Sequence, residues 1–391
     1  MTQALQGIRI LDLSRLLPFE YCTLLLADLG CEVLKVEQPG KGDYMRWLPP
    51  KMKEENVHFL MLNRNKKSLT LNLREDKGRE IFCRLVREYD VVLESYRPGV
   101  MDKLGLGYEA LASIRPSLVY CAATGYGQYG PYKAGVGHDL NYISMAGILH
   151  ATGRSLGSPV VPGIPFADMS TGVFCAFTIL AGVINTIRTG KGQYIDVSMT
   201  DLMVSYNVLH LANELAGAEY GTADTLGITG ETAYYNVYKT NDGRFVAVAN
   251  VEPHFWRKFC QLLGKENLVE NQFADLEHQR LAIAELQKVF LTKTQEEWLN
   301  LFEGQDVCVT AVRNAREVLS DEHFTERGLF FHLQHPRLGK LDQIAMPAKF
   351  SETPPRYDKP PPALGQHTED VLLALGYRED EIAEMKELQI I

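Results

Sequence analysis

A chain of 391 residues with 46% hydrophobic and 23% charged residues has the composition of a soluble globular protein and the length for two domains. Its net charge of −9 argues against nucleic acid or an anionic membrane as the main partner, so a polyanionic ligand has to be met by a local basic cluster. The seven cysteines (22, 31, 83, 121, 175, 260 and 308) are scattered, odd in number and never spaced C-x-x-C, which points to reduced thiols in a cytoplasmic protein and away from a zinc site or a disulfide framework.

The N-terminus has no charged-then-apolar signal pattern. No apolar run reaches the roughly 18 uninterrupted residues of a membrane span; the longest, Val173 to Ile187, is broken by Thr178, Gly182, Asn185 and Thr186 and predicts a buried helix. Residues 7–13 read as a buried strand, 18–30 as a helix closed by glycine and 32–37 as a second strand. That βαβ unit implies a parallel sheet. The first turn, Ser14 to Pro18, lacks the glycine fingerprint of a dinucleotide site, so Glu37 is not read as a ribose ligand.

The basic cluster Arg64, Lys66 and Lys67 feeds a strand at 69–73. Such a run is ordinarily a solvated face, although strand ends are also where α/β folds bind ligands. A helix is predicted over 77–88, strands at 91–94 and 118–123, and a rigid turn at Arg97-Pro98-Gly99. Gly125, Gly127 and Gly130 spell G-x-G-x-x-G, yet Pro131 and more loop come before any helix, and no carboxylate falls between 145 and 150.

The chemistry is placed in the stretch 125–172, which sets His138 and Asp168 at the mouths of two successive apolar helices. Each has an ordinary structural reading. Asp168 reads as an N-cap, Asp139 as the cap of the first helix, and His138 as a packed loop histidine. Against that, glycines on both approaches allow a ligand close to the backbone, and helix N-termini offer free N–H groups to an anionic or carbonyl oxygen.

Beyond a strand at 194–197, one helix is expected over 199–216, a linker over 217–230, a hairpin at 234–249 around Asn241-Asp242-Gly243, and helices at 254–263 and 275–303. A proline-rich crossing segment follows Pro347, and two short helices close the chain. The domains implied are residues 1–216, a small domain at 231–335, and a return segment at 336–391.

Several blocks in this order resemble the family III CoA-transferase superfamily, the CaiB/BaiF group, and within it the α-methylacyl-CoA racemase branch: Leu26-Ala27-Asp28-Leu29-Gly30 with Lys35-Val36-Glu37, 63–68, Arg97-Pro98-Gly99-Val100, Gly125-Tyr126-Gly127-Gln128, Gly190-Lys191-Gly192-Gln193 and Gly365-Gln366-His367-Thr368. The resemblance implies an α/β fold: a Rossmann-like large domain with a parallel sheet, built from both chain ends, plus a smaller α+β domain, in an interlocked-ring homodimer. It implies an acyl-CoA thioester substrate and no metal or cofactor beyond coenzyme A itself. Thr70, Leu71, Asn72, Leu73, Arg97, Gly137, Asp139 and Tyr142 would line the CoA groove. His138 and Asp168 match the acid/base pair of the racemases, and Glu252 matches a glutamate that orients the histidine. Asp168 also matches the covalent nucleophile of the transferases. Gln38 stands where racemases carry an arginine, Ser170 and Thr171 replace paired glycines, and Gly230-Glu231-Thr232-Ala233 replaces Gly-Gly-Ala-Pro; the last two departures bear on the acyl pocket.

The expected activity is racemisation of 2-methylacyl-CoA thioesters by α-proton transfer, with CoA transfer as the alternative and a non-enzymatic acyl-CoA-binding subunit as a third reading. For racemisation, the helix dipole keeps a histidine at a helix start neutral and basic. The same dipole favours ionised Asp168, so an acid role for it requires compensating burial.

Overall fold

The computed structural model describes residues 2–153, 159–217 and 227–391. Of the expected linker, residues 218–226 lie outside the described residues, as do 154–158 of the Gly/Pro loop before Asp168. The chain forms two compact units. The first comprises residues 1–145, 164–203 and 322–391, and the second residues 146–163 and 204–321, so 146–163 and 204–216 cluster with the second.

The first unit is built on six parallel strands: β1 (Arg9–Asp12), β2 (Glu32–Glu37), β3 (Lys67–Thr70), β4 (Val91–Glu94), β5 (Val119–Thr124) and β6 (Gln193–Ser198). Their order is β3-β2-β1-β4-β5-β6, the doubly wound arrangement in which the chain reverses direction beside β1. Register places Ile10 opposite both Val33 and Val91. Strand period two divides the apolar residues between two cores. Leu11, Leu34, Leu69 and Val92 pack with α2 (Asp76–Val86) and the closing helices α8 (Thr368–Ala374) and α9 (Glu379–Glu387). Ile10, Val33, Val91 and Val119 pack with α1 (Leu17–Asp28) and α4 (Phe166–Thr189). Covering on both faces is why these strands read as unbroken apolar runs.

By length and composition α4 could cross a membrane. Here Cys175, Ile179 and Val183 are buried in the second of those cores, as the polar breaks in its sequence predict. The seven cysteines are unpaired.

Most of the basic cluster at 64–67 is not a solvated face. Arg64 is only 2% exposed and grips Asp28, while Lys66 is buried and donates to Glu20 O and Asn63 Oδ1, both at 2.9 Å. Lys67 pairs with Glu32 at 3.3 Å. Arg64 and Lys66 are consumed inside the fold, and Lys67 remains partly exposed.

The free edge of β3 is closed by the end of the chain. Asn65 N donates to Lys359 O at 2.9 Å, Ser68 N to His367 Nδ1 at 3.1 Å, and His367 N back to Ser68 O at 2.9 Å. Asn72 N donates to Ile390 O at 2.8 Å. Ahead of this closing segment a hairpin not anticipated from the sequence, β10 (Phe330–His335) with β11 (Gly339–Ile344), turns around Pro336.

Gly192 is required by space. A Cβ there would lie 2.0 Å from Leu118 O, where the chain enters β6 beside β5. Gly192→Ala is expected to cost about 3 kcal/mol, the upper end of overpacking penalties, read as a lowered midpoint in denaturant unfolding.

In the second unit, β7 (Tyr235–Lys239) and β8 (Phe245–Ala249) form the expected hairpin, and β9 (Val309–Ala311) adds to β8, all antiparallel. Trp256 and Phe259 of α5 (Pro253–Leu263), Phe290 of α6 (Leu276–Phe290) and Trp298 and Phe302 of α7 (Gln295–Phe302) form its aromatic core. The helix expected over 275–303 is two helices, because Thr294 and Glu297 make a reciprocal capping box that starts a new one. The one expected over 199–216 likewise divides at Asn207, whose side chain donates to Ala146 O at 2.9 Å.

Candidate active site

The carboxyl ends of the strands in the first unit open onto two clefts, where a doubly wound sheet receives ligands. The larger, about 610 Å³, is walled by Tyr96 and Arg97 beyond β4, Thr124 and Tyr126 at the end of β5, and His138 and Tyr142. Arg97 and Lys133 line it, and among the described residues no aspartate or glutamate does. The second, about 340 Å³, lies beyond β1, β2 and β3 and is lined by Arg15, Gln38, Leu71, Asn72, Leu73 and Arg74; Tyr96 lines both. Although the chain carries a net charge of −9, Arg97 and Lys133 on the larger cleft and Arg15 and Arg74 on the smaller make both basic, while Glu37 on the smaller is held by Arg46; an anionic ligand requires such a setting.

Gly125 and Gly137 are glycines because the Tyr142 ring fills the space a side chain would need. A Cβ would lie 2.5 Å from the ring at Gly125 and 2.9 Å from it at Gly137. Tyr142 Oη donates to Gly137 O at 2.6 Å, locking the turn that carries His138 against α3 (Asp139–Met145). The start of α3 is closed by Asn141, whose Oδ1 accepts from His138 N at 3.0 Å. His138 itself is exposed on the cleft wall.

Asp139 does not cap its own helix, contrary to expectation. Its Oδ1 accepts the backbone amide of Asp168 at 3.0 Å. Asp168 is not an N-cap either: α4 begins at Phe166, Pro165 holds the cap position without a side-chain bond, and Asp168 is the third helical residue. Its carboxyl has no hydrogen-bond partner among the described residues. Burial pushes it up to about 7, and the neighbouring Asp139 carboxylate adds to the rise. Burial therefore outweighs the helix N-terminus, which alone favours the ionised form. Asp168 does not line the larger cleft but lies within electrostatic reach of Tyr142, which does. The Tyr142 hydroxyl is pushed up to about 12 by burial, with Tyr126, Asp168 and Asp139 adding to it.

The first unit therefore brings together His138, Asp139, Asp168, Gly137, Tyr142 and Arg97, with Leu71, Asn72 and Leu73 on the adjoining cleft. Thr70 lines neither cleft, since its backbone and hydroxyl are engaged by Thr368 Oγ1, each at 3.0 Å. Glu252 belongs to the second unit, just before α5, with no side-chain capping bond. Ser170 Oγ is satisfied on its own helix by Phe166 O at 2.6 Å, and Thr171 is fully buried. Among the described residues no group of three or more His, Cys, Asp or Glu is arranged to hold a metal ion.

Sequence reasoning missed Thr124, Tyr126 and Lys133 on the larger cleft and Arg15 and Arg74 on the smaller. All but Lys133 are within a few residues of a strand's carboxyl end, so strand order was the signal that would have found them. The exchange of partners between Asn141 and Asp139 carries no sequence signal.

The sequence pattern of CoA-transferase family III matches residues 5–368. The chain is 37% identical to the succinyl-CoA:glutarate CoA-transferase of Mus musculus, over 97% of this chain and 88% of that one. It is 34% identical to the alpha-methylacyl-CoA racemase of Homo sapiens, over 99% and 97% respectively. A solved CAIB/BAIF family protein from Brucella suis superposes with a TM-score of 0.83 at 30% identity, over 96% of this chain and all of that one. A doubly wound sheet with a basic crevice at its carboxyl edge, the family pattern over nearly the whole length and relatives of both activities lead to one statement: this chain belongs to CoA-transferase family III, and is an enzyme of either the transferase or the racemase kind.

Proposed function

We propose that this enzyme racemises 2-methylacyl-CoA thioesters by passing the α-proton between His138 and Asp168. The reading is supported by the docking of two helix starts, where the Asp139 carboxylate next to His138 accepts the Asp168 amide at 3.0 Å. It is supported also by the burial that pushes the Asp168 carboxyl up to about 7, so that its protonated and ionised forms are both available at neutral pH, as an acid/base group needs. In one direction neutral His138 takes the proton from one face of Cα, and protonated Asp168 delivers its own to the other face. In the reverse direction ionised Asp168 takes the proton and the imidazolium returns one. Between the two steps the thioester is an enolate. Backbone N–H groups of the 125–137 loop would stabilise its oxygen, each by about 3 kcal/mol.

Arg15, Arg74 and Arg97 would meet the phosphates of CoA, with the Leu71–Leu73 segment beside them. Glu252 would orient His138. The assembly would be an interlocked homodimer, a reading supported by Val173, Phe177, Ile184 and Ile187, which leave an exposed apolar stripe on α4 that a second copy would cover. Light scattering should then give twice the monomer mass.

The reaction is tested by incubating the enzyme with a single 2-methylacyl-CoA epimer in deuterated water. Exchange of the α-hydrogen together with epimerisation is expected. Absence of both removes the racemase reading.

The transferase reading is favoured by a different observation, the lack of a hydrogen-bond partner on the Asp168 carboxyl among the described residues, which leaves its lone pairs open for attack. The carboxylate would add to the donor thioester carbonyl and expel CoA thiolate, giving a mixed anhydride. The thiolate would then attack the aspartyl carbonyl, release the donor acid and leave an enzyme thioester, from which the acceptor acid recovers the CoA through a second anhydride. Trapping of Asp168 by hydroxylamine or borohydride in the presence of an acyl-CoA would select this reading over the first.

A further inference from the structure

Asp139 does not cap its own helix and lines neither cleft. It is the first residue of α3, where Asn141 already closes the helix start, while its own carboxylate reaches the amide of Asp168, the third residue of α4. The start of α4 receives no side-chain cap from Pro165, so Asp139 supplies an acceptor from the neighbouring helix. It directly follows His138. One carboxylate thereby ties the turn bearing the imidazole to the turn bearing the second acid/base group.

We propose that Asp139 is a positioning residue, which clamps the His138 turn to the start of α4 and holds a like charge beside the Asp168 carboxyl. The proposal rests on Asp168 being a reacting group. Among the described residues, Asp139 is the one charged group acting on Asp168. Of the other titratable side chains on elements packed along α4, Tyr142 lies on α3. Tyr21 of α1 abuts Gly172, and Glu20 of α1 turns toward Lys35 and Lys66. On β5, the Cys121 thiol is hydrogen-bonded to the Cys175 thiol, and on β6 the Asp196 carboxylate accepts Gln128 N. No cation among the described residues compensates the Asp139 charge at Asp168, so its removal should be felt there directly.

The test compares wild type, Asp139→Asn and Asp139→Ala in the full chain. Two readouts are independent of turnover: the pH midpoint for carbodiimide labelling of Asp168, mapped by peptide mass spectrometry, and hydrogen exchange of the peptide spanning the start of α4. Asparagine keeps the acceptor for the Asp168 amide and drops the charge. The labelling midpoint should fall by about one pH unit while exchange stays near wild type. Alanine loses both, so the midpoint falls and exchange quickens roughly tenfold. An unmoved midpoint in Asp139→Asn, or unchanged exchange in Asp139→Ala, overturns the proposal.

Where isomerisation is observed, Asp139→Asn should also reduce kcat near pH 8 about tenfold in the direction that uses protonated Asp168, with KM nearly constant. If labelling and exchange respond as expected but neither isomerisation nor transfer is found, the functional reading fails and the positioning role of Asp139 stands.

Discussion

Asp168→Asn is expected to abolish turnover and, at the same time, to make the protein more stable. For racemisation, loss of one acid/base group should lower kcat by about 10²–10⁴; for CoA transfer, loss of the nucleophile should leave no trappable intermediate. The stability gain follows from the raised titration of this carboxyl. A group that titrates near 7 in the folded protein and near 3.9 when unfolded binds its proton more tightly when folded. The native state is therefore penalised as pH rises from about 4 to about 7, and carries the full penalty above that. Asparagine has no proton to lose. With allowance for the partial exposure of this side chain, the variant should be more stable at pH 8 by about 1–3 kcal/mol and equal to wild type at pH 4. Paired thermal melts at the two pH values check this. A variant destabilised at pH 8 would contradict the burial argument.

Arg64→Met should be the most damaging single substitution away from the clefts. Arg64 Nε donates to Asp28 Oδ1 at 3.0 Å, a second nitrogen grips Asp28 Oδ2, and the third donates to Gln343 Oε1 at 3.0 Å. Phe331 and Tyr357 lie within 5.4 Å and 5.1 Å of the guanidinium. Asp28 is fully buried, and burial already pushes its carboxyl up against the pull of Arg64 and Asn65. Methionine fills the stem but leaves that carboxylate uncompensated, a loss of about 3–5 kcal/mol. The double variant with Asp28→Leu should recover a large part of it, since an apolar pair of similar volume often replaces a buried ion pair at little cost. Denaturant unfolding of the single and double variants measures both effects.

The sheet was legible in the sequence because its strands are apolar on both faces, and five of its six appeared at nearly their final positions. The sixth, β3, was placed about two residues too late. Its polar start, Lys67-Ser68, owes its strand geometry to β2 on one side and to residues some 300 positions away on the other. The positions of His138 and Asp168 at two helix starts could be read from the glycines and from the apolar runs that follow. The roles of the neighbouring acids could not. Whether an aspartate caps its own helix or the next depends on how the two starts are docked, which is tertiary information. The burial that raises Asp168 is of the same kind. In the basic cluster at 64–67, charge alone suggested exposure, and the partners Asp28, Glu20 and Glu32 could be identified only once α1 and β2 were in place.

The closure of β3 by His367, Thr368 and Ile390 has a consequence for biogenesis. During translation the nascent sheet offers an unpaired strand to solvent until residues 365–390 have left the ribosome, an interval when bare strands invite intermolecular pairing. Emergence of residues 365–390, and not synthesis of the β-rich stretch before residue 199, should therefore set when this enzyme becomes resistant to aggregation. Stalled chains ending before residue 365 would be the natural clients of holdase chaperones.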